Sequence, residues 1–218
     1  MTTASPASSC NVALDVELRQ GLQSLGVVIN EAGVRKLISY LSLIGKWNRT
    51  YNLTAIREPH QMVSIHLLDS LSVAPILSGR RVLDVGSGAG LPGIPLAIAW
   101  PGSDLTLLDS NQKRVAFLRQ ATSSLELENV SVMGTRVEDC RPLKLFDLII
   151  SRAFSQISQF VQSAGHLLAK GGTLAAMKGA RPDAELDGIP AGFKVRELRA
   201  LKVPNLDAER HLVILERS

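Results

Sequence analysis

The spacing of apolar residues changes near Gly79. Before it the spacing is helical. Leu14, Leu18, Leu22 and Leu25 keep to one face, and Val34, Leu37, Ile38, Leu41 and Ile44 to another, which predicts two amphipathic helices. Asn30 is placed to cap the second, with Glu31 in its first turn. A third helix is expected to start around Pro59, because proline is tolerated at the first helical position, and to run on to Leu77. Between the second and third lies WNRTYNLTAIRE (47–58), too polar for core and too rich in Asn and Thr for a steady helix.

After Gly79 the pattern becomes strand, turn, helix, repeated. Strands are predicted at RVLDV (81–85), DLTLLD (104–109), VSVM (130–133), FDLIIS (146–151) and GTLAAMK (172–178). Helical segments separate most of them: PGIPLAIAW, NQKRVAFLRQATSSL and SQISQFVQSAGHLLA. Such alternation forces an α/β fold, a doubly wound, mostly parallel sheet with right-handed crossovers and helices on both faces. FKVRELRAL and RHLVILER have only a polar link between them, so they should pair antiparallel at a sheet edge. The expected organisation is a disordered tail over 1–12, a helical extension over 13–78 and the sheet domain over 79–218.

Composition narrows this picture modestly. A chain of 218 residues with 45% hydrophobic and 20% charged residues is globular. Its formal charge of +4 and pI near 9.3 permit a polyanionic partner without demanding one. Cys10 lies in the polar tail and Cys140 precedes Arg141-Pro142, so neither a disulfide framework nor a thiolate metal site is expected. Cys140 reads as ordinary packing. The opening MTTASPASSC lacks a basic segment followed by an apolar one, and no apolar run approaches the roughly 18 residues needed to span a bilayer. The expectation is a cytoplasmic protein without membrane association. It should be monomeric, since no long exposed apolar stripe argues for assembly.

The chemistry starts at Gly86, Gly88 and Gly90 in RVLDVGSGAGLPGIPLAIAW (81–100). Sheets of this kind bind nucleotide-like ligands beyond the carboxyl ends of their strands, and glycine lets a ligand approach the main chain. A dinucleotide fingerprint wants G-x-G-x-x-G, whose third glycine position holds Leu91 here. Asp84, ahead of the loop, would repel a pyrophosphate and welcome a ligand ammonium, directly or through water. Asp109, ending the next strand, is placed to accept hydrogen bonds from both hydroxyls of a ribose, or else to cap the following helix. These features fit S-adenosylmethionine, which combines adenosine, a ribose diol and an ammonium with no phosphate. DVGSGAG followed by LLDS resembles the class I methyltransferase pattern, with its Rossmann-like sheet. Residues 150–154 read ISRAF, not the Asn/Asp-Pro-Pro-aromatic motif of many exocyclic-amine methylases. No loop cysteine offers the nucleophile of a cytosine carbon-5 methylase.

A closer resemblance is carried by WNRTYNLTAIRE, HLLDSLSVAPIL, VLDVGSGAGLPGIPLAI, LLDSNQKRVAFLRQ, ISRAFS and MKG, in order over roughly residues 40–180. Together they resemble the bacterial RsmG (GidB) family, whose members methylate guanine N7 in 16S ribosomal RNA of the small subunit. The resemblance implies cofactor contacts at Gly86 and Leu91, with Gly88 in the same loop, Val137 and Glu138 beside the adenine, and Arg152 near the reacting end. Arg152 would grip the cofactor carboxylate or an RNA phosphate; the competing packing reading is an ion pair with a nearby acid such as Glu138. Guanine N7 carries a lone pair and no proton, so no general base is needed and none of the four scattered histidines is assigned a catalytic role. His66 reads mainly as helix packing. Candidate RNA contacts are Lys46, Arg49, Arg57, Lys178 and Arg181, with Trp47 and Tyr51 as stacking platforms or, more simply, helix-end packing. Two alternatives stay open: a class I methyltransferase acting on another RNA, a small molecule or a protein, and a binding module without activity.

Overall fold

The computed structural model describes residues 6–152 and 154–218, with side chains described from Val12 onward. Of the expected tail, residues 1–5 and the side chain of Cys10 lie outside the described residues. From Pro6 the backbone is already helical, because proline at the helix start is pre-set for that geometry. Helix α1 (Pro6–Leu25) leads into α2 (Glu31–Tyr51), and the Asn30 side chain accepts from Gly33 N at 2.8 Å, the predicted cap. Residues 47–51 of the polar segment continue α2, which ends at Asn52 in the left-handed region (φ 48°). The reason is tertiary. The Trp47 ring lies 5.5 Å from Phe117 and 5.0 Å from Tyr51. Buried Asn48 accepts from Thr54 N at 3.0 Å and donates to Ile56 O at 3.4 Å, folding the following loop back onto the helix.

The third helix starts at Pro59 as expected but is not uniform. It is α over α3 (Pro59–Met62), a π turn over Val63–Leu68, and α again over α4 (Asp69–Leu71). A π turn admits an extra residue per turn, and α1 packs tightly on it: a Cβ at Gly21 would sit 2.3 Å from Leu68 Cδ1. The helix ends before Leu77. Ser72 Oγ donates to Asp69 O at 2.6 Å, and Pro75 disfavours helix at the residue before it.

The sheet has seven strands: β1 (Arg81–Val85), β2 (Asp104–Leu108), β3 (Val130–Met133), β4 (Phe146–Ser151), β5 (Leu168–Lys178), β6 (Phe193–Ala200) and β7 (His211–Arg217). Their order is β3-β2-β1-β4-β5-β7-β6, with β7 antiparallel to both neighbours and the other pairs parallel. β5 begins at Leu168, earlier than predicted, because Gly171 (φ 76°) and Gly172 accompany a shift of register and not a turn. Helices α5 (Gly93–Ala99), α6 (Gln112–Ser124), α7 (Ile157–Ala164) and α8 (Asp183–Leu186) complete the fold.

Successive strand residues enter different cores, as period-two alternation dictates. Leu83, Ile149, Leu174 and Val213 pack with Phe160 of α7, while Val82, Leu148, Ala175 and Leu212 pack with Leu96 of α5. A third cluster joins Leu18, Leu37 and Ile44 of the first two helices to Ile94, Leu107 and Phe117. Each fully buried side chain of this size contributes about 1.5–3 kcal/mol. The helices before β1 are thereby held against the part of the sheet that carries the glycine loop.

Candidate active site

The order of strands reverses between β1 and β4, and the candidate residues gather above this switch point. After Val85 the chain turns through Gly86, Gly88 and Gly90 with φ of 71°, 58° and 86°, the left-handed region that glycine enters without steric cost. A Cβ at Gly90 would also stand 2.5 Å from Ile94 Cδ1 and 3.0 Å from the Tyr40 hydroxyl. Tyr40, fully buried on α2, donates that hydroxyl to Ala89 O.

Most of the loop's amides are committed within the protein. Gly86 N and Ser87 N donate to Leu108 O at 2.8 and 3.1 Å, and Gly90 N and Leu91 N to Ser87 O at 2.7 and 3.0 Å. Gly88 N donates to Asp109 Oδ2 at 2.9 Å, and Gly93 N to Asp84 Oδ2 at 3.0 Å. A pyrophosphate needs converging amide donors, and this loop turns those donors inward.

Beside it a cavity of about 240 Å³ opens over the ends of β1 and β2, with Gly86, Asp109, Val137 and Glu138 in its wall. Asp109 is 4% exposed; its Oδ1 accepts from Asn111 N at 2.8 Å, and its Oδ2 lies 3.6 Å from Arg114 Nη1. The cap of α6 is Asn111, whose side chain accepts from Lys113 N and Arg114 N at 3.0 and 3.3 Å. Asp109 is therefore not needed as the cap, and each of its oxygens keeps acceptor capacity for a ligand hydroxyl. Leu108, Val137 and Phe154 give the same cavity apolar wall for a planar ring. Acceptors for a diol, an apolar slot and a loop poor in outward amides fit S-adenosylmethionine better than a dinucleotide. Arg114 and Phe154 are not singled out for this cavity from the sequence, although each lies inside a recognised motif, LLDSNQKRVAFLRQ and ISRAFS.

Asp84, Gly88, Leu91 and Arg152 are not in that wall. Asp84 is 1% exposed, and burial pushes its carboxyl up to about 7; its Oδ1 has no partner, and Oδ2 anchors the start of α5 through Gly93 N. Its observed place is beneath the loop and not against the cavity. Gly88 acts through Asp109, and Leu91 is buried in the cluster shared with the N-terminal helices. Arg152 makes the ion pair with a nearby acid that its packing reading expects, but the acid is Asp69 and not Glu138. Its Nη1 donates to Asp69 Oδ2 at 3.0 Å and Ile65 O at 3.1 Å, beside a second cavity over the ends of β4 and β5. The charge of Arg152 acts on both Asp84 and His66. His66 is buried in the π turn 3.1 Å from Thr54 Oγ1, and burial lowers its pKa to about 4, so it is neutral at physiological pH.

The RNA candidates divide. Lys178 is bound to Glu185 at 2.7 Å and Arg181 to Asp183 at 2.7 Å. Lys46, Arg49 and Arg57 line a groove of about 670 Å³ between α1, α2 and α3, and none of them has an acidic partner among the described residues. Trp47 and Tyr51 pack on each other, and Trp47 on Phe117, the simpler of their two readings. Cys140 is buried and free. Among the described residues no group of His, Cys, Asp or Glu is arranged to hold a metal, and no helix is long and apolar enough to cross a membrane.

A mostly parallel sheet with β7 inserted antiparallel, and a glycine loop leading from β1, define the class I methyltransferase fold. Solved structures share it. The N-methyltransferase NodS of Bradyrhizobium japonicum WM9 in complex with S-adenosyl-l-homocysteine superposes with TM-score 0.54 at 18% identity, covering 82% of this chain and 98% of that one. TrmN of Thermus thermophilus gives 0.52 at 22% identity, covering 78% and 53%. The family model GidB, described as rRNA small subunit methyltransferase G, matches residues 33–213. Proteins named ribosomal RNA small subunit methyltransferase G are 52% identical over 93% of this chain and 98% of theirs in Laribacter hongkongensis, and 53% over 91% and 92% in Nitrosococcus oceani. The chain belongs to the GidB family and is a methyltransferase.

Proposed function

We propose that the protein transfers a methyl group from S-adenosylmethionine to N7 of a guanine in 16S ribosomal RNA, acting as a cytoplasmic monomer on the small subunit or its RNA. The observation that carries the cofactor assignment is the pairing of an inward-turned glycine loop with the carboxylate of Asp109 over an apolar slot. In this reading Asp109 receives the ribose hydroxyls, Gly86, Val137 and Glu138 frame the adenine side, and Asp84, Gly88 and Leu91 hold the loop in shape. Arg152 faces the reacting end. The bound cofactor supplies a methyl group on a positively charged sulfur.

The chain's own task is alignment. Guanine N7 has no proton to remove, which agrees with the state of the histidines: His66 is buried and neutral, His60 pairs with Glu17 at 2.9 Å, and His211 lies 2.9 Å from Gly179 O. Holding nucleophile, methyl and leaving sulfur in line is worth about 7–11 kcal/mol. The name shared by the relatives supports ribosomal RNA as substrate, and the groove of Lys46, Arg49 and Arg57 supplies unpaired cations for its phosphates.

The test is incubation with methyl-labelled donor and small ribosomal subunits lacking the modification, followed by mapping of the label. A single guanine labelled at N7 is expected. Label on another base or on ribosomal protein, or none at all, would overturn the assignment.

A further inference from the structure

The groove of about 670 Å³ between α1, α2 and α3 has a buried apolar floor of Leu14, Leu41 and Met62 and a rim that carries Lys46, Arg49 and Arg57. Lys46 and Arg49 stand three residues apart on α2, and so on one face of it. Arg57 reaches the groove from the loop after that helix. The Glu17 carboxylate on α1 is engaged by His60 at 2.9 Å, so it does not neutralise the rim.

The loop that delivers Arg57 is tied down by a small polar knot. Asn48 accepts from Thr54 N and donates to Ile56 O. Thr54 Oγ1 accepts from Ile56 N at 3.1 Å and lies 3.1 Å from Nε2 of His66, buried in the π turn. Arg57 itself donates from Nη2 to Asn52 Oδ1 at 3.2 Å, and Asn52 is the left-handed residue that ends α2. Polar surface loops are ordinarily mobile. This one is ordered before any ligand arrives, which lowers the entropy a partner of Arg57 must give up.

Three cations along one rim without counter-charge suit a polyanionic backbone, and the guanidinium fork of the two arginines suits phosphate in particular. The groove stands apart from the reacting end. The third helix runs from Pro59, in the groove wall, to Asp69, the partner of Arg152. At about 1.5 Å per residue the two are about 15 Å apart along the axis. Charges recur about every 3.4 Å along one strand of a nucleic-acid helix, so a phosphate seated in the groove belongs to a nucleotide several positions from the one at Arg152.

We propose that this groove is an exosite for the RNA backbone, holding phosphates several nucleotides from the target guanine, and that Thr54 is the positioning residue that sets Arg57 there. The assignment rests on the rRNA methyl-transfer reading. It adds a second, remote point of RNA contact and the device that orders it.

Arg57→Gln, Thr54→Val and Thr54→Ser are compared with the wild type, each checked for folding by circular dichroism. Retention on filters without donor gives affinity for unmodified 16S RNA and for a short hairpin cut from it around the guanine mapped by labelling, each over a range of salt concentration. The wild type should prefer the long RNA. Arg57→Gln should weaken long-RNA binding about 10-fold, the loss of one charge-assisted hydrogen bond, and the preference over the hairpin should narrow accordingly. It should also lower the slope of log affinity against log salt by about 0.7–0.9, the share of one phosphate contact. Thr54→Val keeps the Arg57 charge yet should lower the slope in the same sense, which a loss of stability alone would not do. Thr54→Ser, which keeps the hydroxyl, should restore it. An unchanged slope in Arg57→Gln, the result expected if the groove serves an acidic protein segment or solvent alone, would overturn the exosite. So would equal weakening of hairpin and long RNA, which would put Arg57 at the target nucleotide. A wild-type slope in Thr54→Val would remove the positioning role. A wild type that transfers no methyl to the RNA would instead remove the rRNA reading on which the assignment rests.

Discussion

The two cavities at the carboxyl end of the sheet differ in how the chain assembles them. The wall holding Asp109 comes from strand ends and the turns that follow them: Gly86 lies next to β1, Asp109 next to β2, and Val137 and Glu138 in the short helical turn after β3. The wall holding Arg210 joins Asp69 and Arg152, 83 residues apart, to Arg210, 141 residues from Asp69. The first offers carboxylates and an apolar slot, the second a guanidinium pair around one buried acid. The difference suggests a division of labour. The strand-end cavity is built from successive turns of the sheet, whereas the other depends on a helix before β1 and on the β6–β7 link meeting at the end of β4.

The largest expected effect lies at the seam between them, where Asp84 and His66 are shifted in opposite senses, both mainly by burial. Unfolded His66 takes up a proton below its ordinary 6.5, while the native ring resists until about 4. It therefore contributes stability that is lost as pH falls from 6.5 towards 4. Asp84 keeps its proton in the native state up to about 7 against an ordinary 3.8, so its contribution is lost as pH rises through that interval. Between pH 4 and 6.5 the two slopes oppose one another, each worth of order 3 kcal/mol. Urea unfolding should show stability rising with pH more steeply in Asp84→Asn than in the wild type, and falling with pH in His66→Gln. Variants that track the wild type across the interval would show that neither site titrates as described.

A smaller effect is expected from Tyr40→Phe. It removes the hydroxyl that ties α2 to Ala89 O and leaves that carbonyl buried without its partner, at a cost of about 1–3 kcal/mol. Thermal unfolding should register the loss, and RNA retention on filters should be unchanged, because the Tyr40 hydroxyl bonds the loop beside the first cavity and makes no hydrogen bond to a residue lining the second. Weakened RNA binding in this variant would mean that the two regions are not separable.

The legibility of each region in the sequence follows from the same contrast. β1, β3 and β4 appear at their predicted boundaries because short apolar runs flanked by glycine or polar turns leave little choice, and the glycine loop with Asp109 announced a nucleoside site. Side-chain destinations were less legible. Asp84 looked like a ligand contact by its place before the loop, yet it lies beneath it, tied to Gly93 N. Residues 47–51 looked too polar for helix, but Trp47 finds Phe117 and Asn48 finds the backbone of the next loop. Asp69 left one trace, a lone carboxylate inside the apolar run HLLDSL. Arg210 left none, since its role depends on a contact that only the closed sheet creates.

The most direct test of the account is a calorimetric titration of the protein and of Asp109→Ala with S-adenosylmethionine and with a nicotinamide dinucleotide. The inward-turned loop and the Asp109 carboxylate predict binding heat for the first ligand and none for the second, with affinity for S-adenosylmethionine about 10- to 100-fold weaker in Asp109→Ala. Dinucleotide binding by the wild type without heat from S-adenosylmethionine, or an unchanged affinity in Asp109→Ala, would contradict it.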